Sequence, residues 1–545
     1  MVGLLTPEDL TVVIPTRGRW EILEHTLTAL GQQTVHGFEI LVVVDGTDQI
    51  VPGLGGARVV ITPHGGPGAA RNVGAKASDR PLLLFLGDDM VPTPDLVERH
   101  LAVHANHPEN EAVVLGHAQW HPTVASGRIE SWLEWSGTQF DYPKSATDDA
   151  GFGRFYSCNV SLKRDFFLAA GGFDEGFTYY YEDLDCGYRL GQNGMRLHYE
   201  PAARTLHLHH YDWPAIERRF GGVAAGEYRM AAEHPWFTPY FLERVRVALD
   251  AAAPLPWWPW AVDHIPKSAD RVRRGAERRA NSWYYRRLGE AFLAGWAGAK
   301  ELADLRAYLG DRFDHELLVG HERAVDAERD AAPDEATFYR TSEAYLYDLT
   351  AFAMSGTKAP YLAELRSVLR PGGSVLEYGC GIGSDGLRLA DGGYDVSFAD
   401  FSNPSTDYLR WRIDRQGWRN PVYDIDRDTL PRGFDVVFSF DVIEHVDDPY
   451  AFLATLEGHA NVVIVNFLEE SDDDTDLHRP LPITALLDYA ARRGLLRYRR
   501  YHGRSHLVAY RSPGAPAVPR LRSAAERTFG AHLPGRTGWY PVPSR

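Results

Sequence analysis

Short apolar runs alternate with helical segments over the first two hundred residues. Residues 11–14, 39–44 and 81–86 are near-continuous runs of Val, Ile, Leu and Phe, each closing on polar residues. Runs of this length without alternation predict strands buried on both faces, as in a parallel sheet. The amphipathic segment 20–30 lies between the first two, giving strand–helix–strand grammar. Another strand-like run at 202–206 leads into His207, His209 and His210. From 213 to about 332 the pattern turns helical and rich in Arg, Ala and Trp, with an interruption at 254–259. A second alternation begins near 337, with strands expected at 374–376, 395–399, 434–440 and 461–465. The pattern predicts an α/β chain: one domain over 1–212, a helical connector or acceptor region over 213–336, a second domain over 337–512, and a loose Pro/Arg-rich tail over 513–545.

A chain of 545 residues exceeds the size at which one core stops growing. Its net charge of −17 argues against a nucleic-acid partner. Anionic ligands must then be held by local donors and by metal. The fourteen tryptophans suit either sugar-stacking surfaces or buried packing. Cys158, Cys186 and Cys380 have no metal-ligand spacing and read as reduced thiols of a cytoplasmic protein. Residues 1–9 carry no signal-peptide pattern, and no apolar stretch is long enough for a transmembrane segment. The basic stretch 271–287 leaves peripheral membrane contact open, although a solvated helix face accounts for it more simply.

In open parallel sheets ligands bind beyond the carboxyl ends of the strands. Thr16, Asp45, Asp88 and Asp89 stand at or just past such ends. Gly87-Asp88-Asp89 puts two carboxylates directly after a buried strand, where a divalent cation (Mg or Mn) would neutralise a diphosphate leaving group. In isolation such a pair equally suits a turn or helix cap. It has company in Pro15-Thr16-Arg17-Gly18-Arg19, in Asp45-Gly46, and in the segment from Gly68 through Arg71 to Gly74. Gly171-Gly172-Phe173-Asp174-Glu175 and Tyr181-Glu182-Asp183-Leu184-Asp185 follow.

Together these motifs resemble the inverting family-2 glycosyltransferases of GT-A fold, over roughly the first 220 residues. The resemblance implies a nucleotide-sugar site made by Pro15, Thr16, Arg17, Asp45, Arg71, Asp88 and Glu182. The family's Asp-any-Asp motif begins here with Gly87, which moves the metal role to Asp89 and leaves Asp88 near the ribose. His207, with His209 as alternate, would complete the metal site. Asp183 is the expected catalytic base, since an acceptor hydroxyl needs a carboxylate to take its proton. The bland alternative is that Glu182, Asp183 and Asp185 cap a helix.

The second domain opens on Glu377-Tyr378-Gly379-Cys380-Gly381-Ile382-Gly383 between a strand and a helix. Ser384 departs from the dinucleotide fingerprint, which needs glycine or alanine there. The motif resembles class I S-adenosylmethionine (SAM)-dependent methyltransferases, over about 338–510. That implies a Rossmann-like fold and a SAM site made by Glu377, Gly379, Gly381, Gly383, Asp400, Asp424 and Asp441. Asp400 would accept from the ribose, Asp424 would lie near the adenine, and Asp441 heads the post-strand motif 441–446. His445 is a candidate base or a packed loop residue, with even weight. Tyr347, Asp348, Thr357 and Lys358 precede the core and are candidates to cover the cofactor; His478 and His506 are candidates to face the acceptor.

The two resemblances imply a bifunctional enzyme. It would move a sugar from a nucleotide-diphosphate sugar donor to a glycan, lipid-linked or natural-product acceptor, then methylate a hydroxyl of the product. The alternative is an active methyltransferase carrying an inactive glycan-binding GT-A module.

Overall fold

The computed structural model describes residues 5–46, 51–177, 180–266, 268–471 and 478–515. The chain divides into two compact units, Met1–Ala299 and Lys300–Arg545, and the division falls within the helix Asp270–Leu309. The segment expected as one connector, 213–336, is therefore shared between the units. Of the tail expected at 513–545, residues 516–545 lie outside the described residues. Among the described residues no helix is long and apolar enough to cross a membrane.

The first unit is built on an eight-stranded sheet. Its strands are β1 (Leu10–Thr16), β2 (Glu39–Asp45), β3 (Arg58–Thr62), β4 (Leu82–Leu86), β5 (Met90–Pro92), β6 (Ala112–Trp120), β7 (Asn159–Lys163) and β8 (Arg196–His207). Their order is β3-β2-β1-β4-β7-β6-β8-β5. β1 pairs in parallel with both β2 and β4, whereas β7 runs antiparallel to β4 and β6. Period-two alternation splits β1 between two cores. Val13 joins Leu41, Val43, Phe85 and Phe167 on one face, and Val12 and Ile14 join Val42, Val44 and Leu84 on the other. Both faces are covered, which is why these runs are apolar throughout.

A third cluster joins Trp120 and Trp132 to Phe220, Tyr284, Tyr285 and Phe292 from the helices that follow. Trp132 is fully buried and stacks on Tyr284 at 4.3 Å. The tryptophans thus divide: Trp120 and Trp132 pack, while Trp236, Trp257 and Trp260 are exposed.

The second unit carries a seven-stranded sheet of β9 (Ser374–Tyr378), β10 (Asp395–Asp400), β11 (Val422–Asp424), β12 (Phe434–Ser439), β13 (Ala460–Leu468), β14 (Leu495–Tyr501) and β15 (Ser505–Arg511). The order is β11-β10-β9-β12-β13-β15-β14, with β15 antiparallel to β13 and β14. The order reverses beside β9, and a crevice at such a switch point is where ligands sit. Behind the glycine-rich turn lies a buried ion network. Arg412 Nη2 meets Glu301 Oε2 at 2.8 Å, and Arg412 Nη1 donates to the Ile382 carbonyl at 3.1 Å and to Ser384 Oγ at 3.0 Å. Ser384 Oγ in turn donates to Glu301 Oε2 at 3.0 Å. The serine that departs from the dinucleotide fingerprint therefore ties the turn to this network.

Removing one partner of a buried, hydrogen-bonded ion pair strands the other charge. Arg412→Ala is expected to lower the stability of the second unit by about 3–5 kcal/mol, read by urea denaturation. A loss below about 1 kcal/mol, the scale of an exposed pair, would contradict the network's role.

Candidate functional site

The carboxyl ends of β2, β1 and β4 lie side by side because these strands are hydrogen-bonded neighbours. Thr16 closes β1 and donates to Asp88 Oδ2 at 2.8 Å. Pro15, one residue earlier, pairs with Val43. Asp45 closes β2, and its carboxylate accepts from the N–H groups of Gly65 and Gly66 at 2.7 and 3.1 Å. His64 stands between Asp45 Oδ2 at 2.9 Å and Arg17 Nη1 at 3.2 Å.

Asp88 and Asp89 occupy the turn between β4 and β5. Arg19 grips both, donating through Nε and Nη2 to Asp88 and through Nη1 to Asp89 Oδ2 at 2.9 Å. Arg19 stands in a motif the sequence singled out, yet its own role was not legible there. The pairing Met90↔His207 between β5 and β8 then delivers the histidines. His207 Nε2 lies 3.4 Å and His209 Nδ1 3.5 Å from Asp89 Oδ2. Ligand atoms of Asp89, His207 and His209 fall within 4.8 Å of one another. One carboxylate and two imidazoles fit a divalent ion, and they suit Mn²⁺ better than the all-oxygen preference of Mg²⁺. Burial pushes the Asp88 carboxyl up. Asp89 is equally enclosed, but His207 and Arg19 outweigh burial and hold it well below the usual carboxylate range. Gly87 is small for a local reason: a Cβ there would meet Met90 Cγ at 3.0 Å and Asp89 Oδ1 at 3.1 Å.

Arg71 lies on the helix Pro67–Ala77, buried, with Nε and Nη1 lacking hydrogen-bond partners. Its Nη1 is 3.9 Å from Glu182 Oε1. Burial, reinforced by the Asp183 charge, pushes Glu182 up to about 7. Burial also raises Asp183, against Arg71 and the Ser157 N–H, which donates to Asp183 Oδ2 at 3.0 Å. Asp183 Oδ1 has no partner. Asp183 lines a cavity of about 200 Å³ walled by Phe155, Tyr156, Tyr180, Tyr181, Phe220 and Phe241.

Tyr180 and Tyr181 hold φ of 60° and 68°, immediately before the helix Glu182–Gln192. Left-handed backbone at a bulky residue costs roughly 1–3 kcal/mol and persists only where surroundings enforce it. Glu227 anchors the Tyr181 side chain. Its buried carboxylate accepts from the Tyr181 hydroxyl at 2.8 Å and from the N–H groups of Tyr240, Phe241 and Leu242 at 2.6, 2.7 and 2.9 Å. The sequence held no signal for this clamp, because Glu227 lies 46 residues from Tyr181.

In the second unit β10 and β11 end on Asp400 and Asp424, and β9 carries Glu377 one residue before its end. Asp400 accepts from the Gly381 N–H at 2.6 Å and the Phe401 N–H at 2.7 Å, and burial pushes it up to about 6. Asp424 is its register partner and accepts from the Asp426 N–H at 3.0 Å. Glu377 accepts from the Gly386 N–H at 2.9 Å; burial and Asp385 raise it well above the usual range, with a smaller contribution from Asp400. Gly381 has φ of 50°, and a Cβ there would press on Leu349 at 2.8 Å. Gly379 and Gly383 share that left-handed backbone, with Val442 and Leu409 against them. This bare backbone beside two acids suits a ligand with hydroxyl and amino groups, and the residues fit SAM.

Asp441 follows β12 in a left-handed conformation, with φ of 54°. Asn466 Nδ2 donates to its Oδ1 at 2.6 Å, and Lys358 Nζ lies 3.2 Å from its Oδ2. Lys358 thus stands against Asp441. Tyr347 and Asp348 instead tie their helix, Ala344–Ser355, to the segments before it: Asp314 N–H donates to the Tyr347 hydroxyl, and Asp348 pairs with His321. The Thr357 carbonyl lies 3.2 Å from His502 Nε2. His506 is held between Tyr498 and Glu469. His445 Nδ1 lies 3.1 Å from the Tyr339 hydroxyl, with His478 against its ring at 4.9 Å.

Comparison with known proteins agrees with both halves. Residues 11–164 match the model of glycosyl transferase family 2, and residues 353–507 match a methyltransferase domain model. The pre-mycofactocin glycosyltransferase of Mycobacterium tuberculosis is 31% identical over 250 residues, covering 42% of this chain and 48% of that protein. The validoxylamine A glucosyltransferase of Streptomyces hygroscopicus is 32% identical over 220 residues, covering 34% and 52%. The glucosyl-dolichyl phosphate glucuronosyltransferase of Haloferax volcanii is 26% identical over 211 residues, covering 35% and 65%. The chain thus spans about half the length of the first two relatives.

Glu182 is neutral below about pH 7 and ionised above it. Once ionised it pairs with Arg71 and would compete there with any anion. Nucleoside diphosphate affinity, relative to that of Glu182→Gln, is expected to fall roughly fivefold as pH rises past this value, the scale of unit charges about 4 Å apart in water. A ratio that stays flat in calorimetry from pH 6 to 8 would contradict the coupling.

Proposed function

We propose that this chain, in which a family-2 glycosyltransferase domain is followed by a methyltransferase domain, is a bifunctional transferase acting in sequence on one product. Its first unit moves a hexose from a nucleoside-diphosphate sugar to an acceptor hydroxyl with inversion. Its second methylates a hydroxyl of the resulting glycan. The hexose class follows the glucosyl and glucuronosyl names of the relatives. Those names also favour natural-product or lipid-linked acceptors. The reading is supported most by one observation: Asp183 lines an aromatic cavity, with its Oδ2 anchored by a backbone N–H and its buried Oδ1 without a hydrogen-bond partner.

In this reading Asp183 takes the acceptor proton as the hydroxyl attacks the anomeric carbon, a contribution of about 10²–10⁴ in rate. The aromatic walls position the acceptor, and the Tyr180–Tyr181 backbone fixes where Asp183 points. Arg71 faces the departing diphosphate. Asp45 and Thr16 hold the nucleoside side, Asp88 lies near the ribose, and Asp89 with His207 would hold the divalent cation. When bound, that cation neutralises charge gathering on the leaving group. Asp89 keeps its carboxylate beside His207 and His209 although glycine opens the motif, which favours an active transferase over an inactive glycan-binding module.

SAM supplies the methyl group when bound. Glu377 would hold its methionine moiety, Asp400 its ribose and Asp424 its adenine. His445 stands on the acceptor side and takes part in activating the hydroxyl.

The test is a reaction with nucleotide hexoses, weighed by mass spectrometry with and without SAM. The acceptor is expected to gain a hexose, and then a methyl on that hexose when SAM is present. Asp183→Asn should bind nucleotide yet lose roughly 10²–10⁴ of sugar transfer. Asp400→Ala should keep sugar transfer and lose SAM binding. Near-normal transfer by the first variant, or methyl found away from the new sugar, would overturn the assignment.

A further inference from the structure

After β12 the chain turns through Asp441 into the short 3₁₀ turn Ile443–His445, and His478 follows β13, the next strand of the sheet. Ligand atoms of Glu444, His445 and His478 come within 4.8 Å of one another. Glu444 is 1% exposed, and neither of its carboxylate oxygens has a hydrogen-bond partner. A carboxylate enclosed without donors is costly unless it takes up a proton or meets a neutralising ligand.

The surroundings build the cluster rather than merely allow it. The Arg479 N–H donates to the Glu444 carbonyl at 2.8 Å, and Arg479 Nη1 donates to the His445 carbonyl at 3.1 Å. Arg479 is itself anchored on Glu335 at 3.1 Å and Asp447 at 2.8 Å. These contacts bring His478 to the turn through its neighbour. The Tyr339 hydroxyl on His445 Nδ1 fixes that ring, as partner groups do for metal-bound imidazoles.

We infer that Glu444, His445 and His478 form a divalent-cation site of the second unit, distinct from the Asp89 cluster, which holds the acceptor hydroxyl for methylation. One carboxylate and two imidazoles leave coordination positions open to a substrate oxygen. A cation lowers the pKa of an oxygen ligand, as it does for water. The step balances. The hydroxyl proton leaves to solvent and the oxygen forms a bond to the methyl carbon. The carbon–sulfur bond breaks, and its electron pair converts the sulfonium into the neutral thioether of S-adenosylhomocysteine. His445 then acts as a ligand rather than as the proton acceptor. The inference rests on the methyltransferase reading for its chemistry, though not for the binding of the metal.

Co²⁺ alone, titrated into the full chain and followed by visible absorption, tests it. Asp89→Asn with His207→Ala serves as a background in which the first unit's cluster is disabled. In that background one equivalent of Co²⁺ is expected to bind. Adding Glu444→Gln or His478→Ala should weaken it at least tenfold, while Tyr339→Phe should weaken it less. SAM binding, read by calorimetry on the same samples, reports that the second unit is folded. Absence of Co²⁺ binding in the SAM-competent background, or unchanged binding in the Glu444 and His478 variants, overturns the site. Absence of SAM binding by the unsubstituted chain would remove the methyltransferase reading instead, whatever the Co²⁺ result.

Discussion

The structure depends on keeping carboxylates desolvated at the ends of buried parallel strands. Burial opposes ionisation there, so each acid needs donors supplied by the next loop. Asp45 takes two consecutive N–H groups, Gly65 and Gly66, and Asp400 takes Gly381 and Phe401. Asp88 and Asp89 instead share the Arg19 guanidinium. The two units thus solve one electrostatic problem alike, although one sheet is mixed and the other ends in an antiparallel pair. A polar environment fixed before the ligand arrives needs little reorganisation when charge develops.

Strain is placed where orientation matters. The left-handed Tyr180 and Tyr181 set the first turn of the helix that carries Glu182 and Asp183, and Glu227 anchors the Tyr181 side chain while satisfying the start of the helix Tyr240–Asp250. One buried carboxylate therefore couples the base to the aromatic wall of its cavity. In the second unit Asp441 is the corresponding strained residue, held by Asn466 and Lys358.

Much of this was legible in the chain. The runs at 11–14, 39–44 and 81–86 became β1, β2 and β4 because strands buried on both faces need unbroken apolar sequence. Thr16, Asp45, Asp88, Asp89, Glu377 and Asp400 were legible by their places at strand ends. β3, β5, β6, β7, β11, β14 and β15 escaped: β3 and β14 are largely exposed edge strands and β5 and β11 have only three residues each, whereas β6, β7 and β15 are buried strands whose mixed apolar and polar sequences were not singled out. Long-range partnerships also escaped. Arg19 with the aspartates and Arg412 with Glu301 join residues far apart in sequence, and no local period encodes such pairs. His209 was read as an alternate to His207; both lie against Asp89 because β5 pairs with the end of β8.

The two proposed transfers ask for two sets of acids that do not share ligands, and each unit has its own. Diffraction from crystals grown with Mn²⁺, a nucleoside diphosphate and S-adenosylhomocysteine is the most direct measurement. Anomalous Mn²⁺ density is expected on Asp89 and His207 beside the diphosphate, with the ribose of S-adenosylhomocysteine against Asp400. Nucleotide bound away from Asp45 and Asp89, or an S-adenosylhomocysteine ribose remote from Asp400, would contradict this.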